Sequence, residues 1–127
     1  MISLMNGWWL AAAFFALVTA TAHIVAGGRE IAAPLLNAER LHPVVRYTHY
    51  FCWHMVSIVL VAMVVVFAAA ASGQLSADLA KAATVLAVLF GLWNVALVAS
   101  KGMSFKLMPQ WALFAPVAVC GLAGWAL

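Results

Sequence analysis

Four apolar runs of roughly 19 to 28 residues account for nearly all of this chain, and each is long enough to cross a hydrocarbon core of ~30 Å. A backbone group in lipid has no water to bond, so a run of this length must satisfy its N–H and C=O groups internally and becomes a helix. The expected spans are about 8–28, 44–71, 79–100 and 107–127. Short loops after the second and third spans force antiparallel neighbours. The expected fold is therefore an all-α integral membrane protein, an antiparallel four-transmembrane-helix bundle in which residues 1–127 form a single membrane domain.

Composition closes off the soluble alternative. A water-facing domain carries about a quarter charged residues, whereas this chain is 7% charged and 69% hydrophobic. The formal charge of +3 sits in loops flanking the apolar runs, a placement that argues against nucleic acid as a partner. Cys52 and Cys120 lie in different runs without CxxC spacing, and read as small apolar residues.

Along the chain, Trp8 and Trp9 open the first run as aromatic anchors. Ala20-Thr21-Ala22 has the look of a cleavage site, but a basic start is missing and the apolar run is too long for a signal peptide, so the run is expected to be a mature helix. Gly27-Gly28 is expected to weaken that helix and begin the longest connection, Arg29 to Pro43. Within this connection Ile31 to Leu36, interrupted by Pro34, is expected to lie along the membrane surface, with Asn37 capping a short turn. Pro43 suits the first helical position of the second span, where its missing N–H costs nothing. Ser76 with Asp78 marks the start of the third span.

Arg29, Arg40, Lys101 and Lys106 fall in the first and third connections, with Arg46 close by, whereas the opposite side has only Lys81 beside Asp78. The positive-inside rule then puts connections 29–43 and 101–106 in the cytoplasm and both termini outside, in a bacterial-type inner membrane.

Arg46 to Ser57, RYTHYFCWHMVS, concentrates more polar chemistry at the edge of an apolar run than any other stretch. Arg46, Tyr50, His54 and Ser57 share a helix face by their spacing. His23 near the end of the first span, His49 and His54 in the second, Asn94 in the third and Gln110 in the fourth all fall toward the cytoplasmic leaflet. Neutral imidazole is the commonest metal donor, and a b-type haem in a bundle needs two facing histidines with basic residues near its propionates. His23 and His54 are the candidate metal or axial ligands, His49 an alternate, and Arg46 and Tyr50 neighbours in the same cofactor site. His42 reads as a solvated loop residue, and Glu30 as a group able to fold back toward Arg46 or Lys101 across the two glycines. HxxxH, HExxH and CxxCH motifs are missing, the chain has too few acids for a di-iron carboxylate site, and Cys52 is not set up as a nucleophile.

Three functional classes remain: a small membrane protein holding a metal ion or haem in a cavity at the cytoplasmic leaflet, a non-catalytic membrane subunit or assembly partner, and an enzyme acting on a lipid or quinone in a cavity lined by Trp53, Trp93, Trp111 and Tyr50. The lipid bilayer is the expected partner in each, with a homo-oligomer or a larger membrane complex left open.

Overall fold

The computed structural model describes residues 5–127, and among them every regular element is helical. Helix α1 spans Gly7–Thr21 and passes without a break into a π-helical segment, Ala22–Ala32, and then into α2, Ala33–Leu36. Helices α3, Pro43–Ala71, α4, Ala77–Ser100, and α5, Gln110–Ala126, follow. The continuous helix Gly7–Leu36, α3 and α4 are each long and apolar enough to cross a membrane, while α5 is a shorter apolar helix.

Local chemistry sets the ends. Asn6 caps α1 by accepting from the Trp9 N–H at 3.1 Å and Ser76 caps α4 by accepting from the Asp78 N–H at 3.2 Å, each satisfying an orphan donor of a first turn. His42 is exposed outside the helices, as expected of a loop residue, and its Nδ1 also accepts from the Val44 N–H at 3.3 Å and caps α3. Gly73 and Gly102 adopt φ of 74° and 61° just past the ends of α3 and α4. The carbonyls of the last turns are thereby met, Ala69 O by Gln74 N–H at 2.8 Å and Val98 O by Met103 N–H at 3.0 Å.

The principal departure from sequence expectation is the first helix. Gly27 and Gly28 do not end it, because the Trp53 indole packs against both glycines, within 4 Å of where a Cβ would stand. Tertiary packing outweighs the weak helix propensity of glycine here. The stretch Ile31 to Leu36 therefore continues the helix rather than forming a separate surface segment, with Pro34 accommodated in the first turn of α2. Leu107 to Pro109 lie outside α5, which begins at Gln110.

Helix α1 packs against α3 on one side and α5 on the other, and α5 against α4, while α3 and α4 meet more lightly. The shared core is built from small and medium side chains: Ala12, Ala16, Ala80, Ala87, Leu60, Met63, Phe67 and Val117 are all buried. Alanine at these positions lets helix axes approach closely, so that dispersion and interhelical hydrogen bonds hold the packing. Thr19 contributes one such bond, its hydroxyl lying 2.9 Å from Phe15 O in its own helix and 3.1 Å from Leu113 O in α5. Outward faces carry Phe14, Ile58, Val65, Leu89, Leu92 and Val119, all exposed. An apolar exterior of that extent suits lipid rather than water.

Candidate functional site

The ends of the helices divide into two differently built regions. At the end formed by Asn6, Gly73 and Gly124, the bundle is tied by backbone contacts. Asn6 N–H donates to Ala71 O at 3.0 Å and Asn6 Nδ2 to Gly124 O at 3.0 Å, while Trp9 Nε1 donates to Gly121 O at 3.4 Å. A Cβ at Gly124 would fall inside the Trp9 indole, and one at Gly121 would fall on the Thr84 side chain. Only glycine leaves room for these neighbours.

The opposite end holds the candidate site. Trp53 lies eighteen residues before Ala71 in α3, a rise of ~27 Å, and His23 sixteen residues after Gly7, ~24 Å at α-helical rise. The two therefore reach matching height along the bundle, measured from the Gly7 and Ala71 end. They stack face to face, with ring centroids 4.5 Å apart and planes inclined by 21°. His23 Nε2 also stands 3.2 Å from the Trp53 carbonyl oxygen, a bond that requires the Nε2–H tautomer. That carbonyl additionally accepts from Ser57 Oγ at 3.3 Å.

Tyr50 and His54 complete the cluster on the face of α3 that the spacing anticipated. The Tyr50 ring is parallel to Trp53 at 6.4 Å. His54 is T-shaped to both, 4.5 Å from Tyr50 and 5.0 Å from Trp53. His49 stands apart, exposed, its Nδ1 donating to Val45 O at 2.9 Å in its own helix. The Arg46 guanidinium lies 5.1 Å over the Tyr47 ring, and its Nε is buried with no hydrogen-bond partner among the described residues.

The π-helical segment explains how His23, Gly27 and Gly28 all meet one side chain. Its i→i+5 bonding widens the turn, and π-helical runs are rare and short elsewhere. Here it covers 11 residues, and it presents both glycines together with His23 to the Trp53 ring. From the sequence, Trp53 is expected only as a lining residue of a lipid or quinone cavity and not among the cofactor residues, although it is the residue on which the cluster is centred. Its position one residue before His54 and thirty after His23 carried no periodic signal.

As a metal or haem site the cluster is poorly provided. Among the described residues no group of three or more His, Cys, Asp and Glu side chains comes together. The two proposed ligands, His23 and His54, each meet the Trp53 ring, and one nitrogen of His23 is already bonded to a backbone carbonyl. Glu30 does not pair with Arg46 or Lys101: the one ion pair among the described residues is Lys81 with Asp78, 3.5 Å apart at the other end.

Asn94, the polar interior residue of α4, has a defined structural task. Pro109 precedes α5 and offers no side-chain cap. Asn94 Oδ1 accepts from the Trp111 N–H at 3.1 Å, and its Nδ2 donates to Gln110 Oε1 at 3.0 Å. A neighbouring helix thus supplies the cap that the loop lacks, meeting an orphan donor of the first turn. The four aromatic residues expected to line a lipid or quinone cavity are dispersed: Trp53 and Tyr50 belong to the His23 cluster, Trp111 lines a groove between α4 and α5, and Trp93 faces outward from α4.

No protein family, curated protein or solved structure matches this chain.

Proposed function

We propose that this chain is a non-catalytic multi-pass membrane subunit or assembly module that acts through its helical surfaces. The supporting observation is that three buried or half-buried polar side chains join helices: His23 bonds to α3, Asn94 bonds to α5, and Thr19 bridges α1 and α5. In this reading all four hydrophobic helices cross the bilayer as an antiparallel bundle, with α5 fitting by local thinning of the membrane, since 17 residues rise only ~26 Å. The ends bearing Arg29, Arg40, Arg46, Lys101 and Lys106 face the cytoplasm of a bacterial-type cell, and the termini face outward. Gly7–Leu36 and α3 rise ~45 Å and ~43 Å, longer than the hydrocarbon layer. Their ends therefore stand out of the membrane as a helical hairpin with exposed Ile31, Val44 and Tyr47 among its charges, a surface suited to a partner chain.

A second reading, haem or metal binding by His23 and His54, draws on their common cluster and depth. It requires the Trp53 ring to leave the space next to both imidazoles. An absorption spectrum of the detergent-purified protein, oxidised and then reduced with dithionite, together with elemental analysis, separates the two. The subunit reading expects no Soret band and no stoichiometric metal. A Soret band or bound metal that disappears in the His23→Ala/His54→Ala double variant would replace it with the cofactor reading.

A further inference from the structure

The groove between α4 and α5 is distinct from the His23 cluster. It has a volume of about 260 Å³ and is lined by apolar side chains, among them Val88, Val95, Phe114, Ala115 and Val119, with Gly91 contributing no side chain. Its lining on α4 extends from Ala87 to Val95, a rise of ~12 Å along the helix. Trp111 lines one end, and the loop after α4 folds onto that residue. Trp111 Nε1 donates to Phe105 O at 3.4 Å, and the Phe105 ring meets the indole edge-on at 6.3 Å.

That loop carries Lys101 and Lys106, both exposed, with Lys106 next in the chain to Phe105. Asp78 is the last acidic residue in the sequence, so neither lysine has an acid on its own loop or on α5. The first turn of α5 adds its own positive dipole end beside them. An apolar groove whose Trp111 end is covered by a loop carrying two cations suits a lipid: a hydrocarbon tail with an anionic head.

We infer that this groove is a binding site for one anionic phospholipid, an acyl chain lying along Gly91, Val95, Ala115 and Val119 and the phosphate held by Lys101 and Lys106. Lysines near a membrane surface favour anionic headgroups, and the groove restricts that preference to a single bound molecule. The occupant is a lipid rather than a second copy of the chain because the lysines lie on the loop packed against the Trp111 end of the groove, and the matching exposed acids that a copy would need are scarce: Glu30, Glu39 and Asp78 are the only acids in the chain.

Native mass spectrometry tests this with phosphatidylglycerol and phosphatidylcholine of identical acyl chains, titrated into the full chain in detergent. The expected result is one retained phosphatidylglycerol, bound roughly tenfold to thirtyfold more tightly than phosphatidylcholine. Lys101→Gln/Lys106→Gln brings the two lipids to near parity, while Ala115→Phe and, separately, Val119→Phe reduce retention of both. Ala115, Val119 and the two lysines are exposed, so these variants leave the helix contacts intact. Equal retention of both lipids by the unmodified chain overturns the inference. So does unchanged selectivity in the double lysine variant, unchanged lipid retention in both groove-filling variants, or a dimer that those variants dissolve.

Discussion

The Trp53 indole lies on the His23 imidazole with centroids 4.5 Å apart, while the carbonyl of the same tryptophan stands 3.2 Å from His23 Nε2. One residue of α3 thus holds one residue of the π-helical segment twice, by its side chain and by its backbone. Replacing Trp53 by Ala removes the stack and the packing on Gly27 and Gly28 together. The expected cost is about 3 kcal/mol, measured by reversible unfolding in SDS–detergent mixtures; stability equal to that of the unmodified chain would contradict the account.

His23→Phe separates the two holds. It keeps an aromatic face for Trp53 and loses the hydrogen bond, an expected loss of about 1 kcal/mol. His23→Ala loses both and costs about 1 kcal/mol more for the stacked pair. Equal effects from the two substitutions would show that the stack contributes nothing.

Gly124→Ala puts a methyl group where the Trp9 indole already stands, whereas a Cβ at Gly7 meets nothing within 4 Å. The first substitution is expected to destabilise by roughly 1–3 kcal/mol and the second by less than about 0.5 kcal/mol. Thermal unfolding followed by tryptophan fluorescence reads both, and the ranking of the pair is the decisive quantity.

Asn94→Ala withdraws the acceptor from the Trp111 N–H. The expected loss is about 1–2 kcal/mol, with hydrogen exchange of the Trp111 amide accelerated ahead of amides in the middle of α5. Asn94→Asp keeps an acceptor in place and is expected to restore much of the protection. Uniform exchange along α5 in Asn94→Ala would refute the capping role.

Sidedness follows from single cysteines placed in a Cys52→Ser/Cys120→Ala background. A membrane-impermeant thiol reagent added to sealed right-side-out vesicles is expected to label Gln74→Cys in the turn after α3 and to spare Ser104→Cys in the basic loop. The reverse pattern would invert the proposed orientation, and labelling of both at equal rates would deny that α4 crosses the membrane.

Much of the helical layout was legible because length and hydropathy alone identify apolar helices, and because Pro43 and Ser76 mark helix starts by local chemistry. The shared face of Tyr50 and His54 was likewise a matter of spacing within one helix. What was not legible depends on contacts between segments distant in sequence. The helix persists through Gly27-Gly28 because of Trp53, a residue 25 positions further along the chain than Gly28. The same side chain stands beside both His23 and His54, a juxtaposition that spacing along the chain does not reveal. Asn94 looked like a site residue because its partner, a backbone N–H at the start of α5, has no signature in a sequence.

The fit of Trp9 and Thr84 against Gly124 and Gly121 has a bearing on how the chain is made. Synthesis delivers α1, α3 and α4 before α5, so for that interval the Trp9 indole Nε1–H and the Thr84 side chain lack their eventual neighbours on α5. The last helix, 17 residues with Pro116 in its middle, must then slide between two helices already in place. Its two glycines act as notches that let it seat without prying them apart. A bulkier residue at either notch would be felt first as slow or failed biogenesis, with α5 left unseated, before any loss was measurable in the protein that completes assembly.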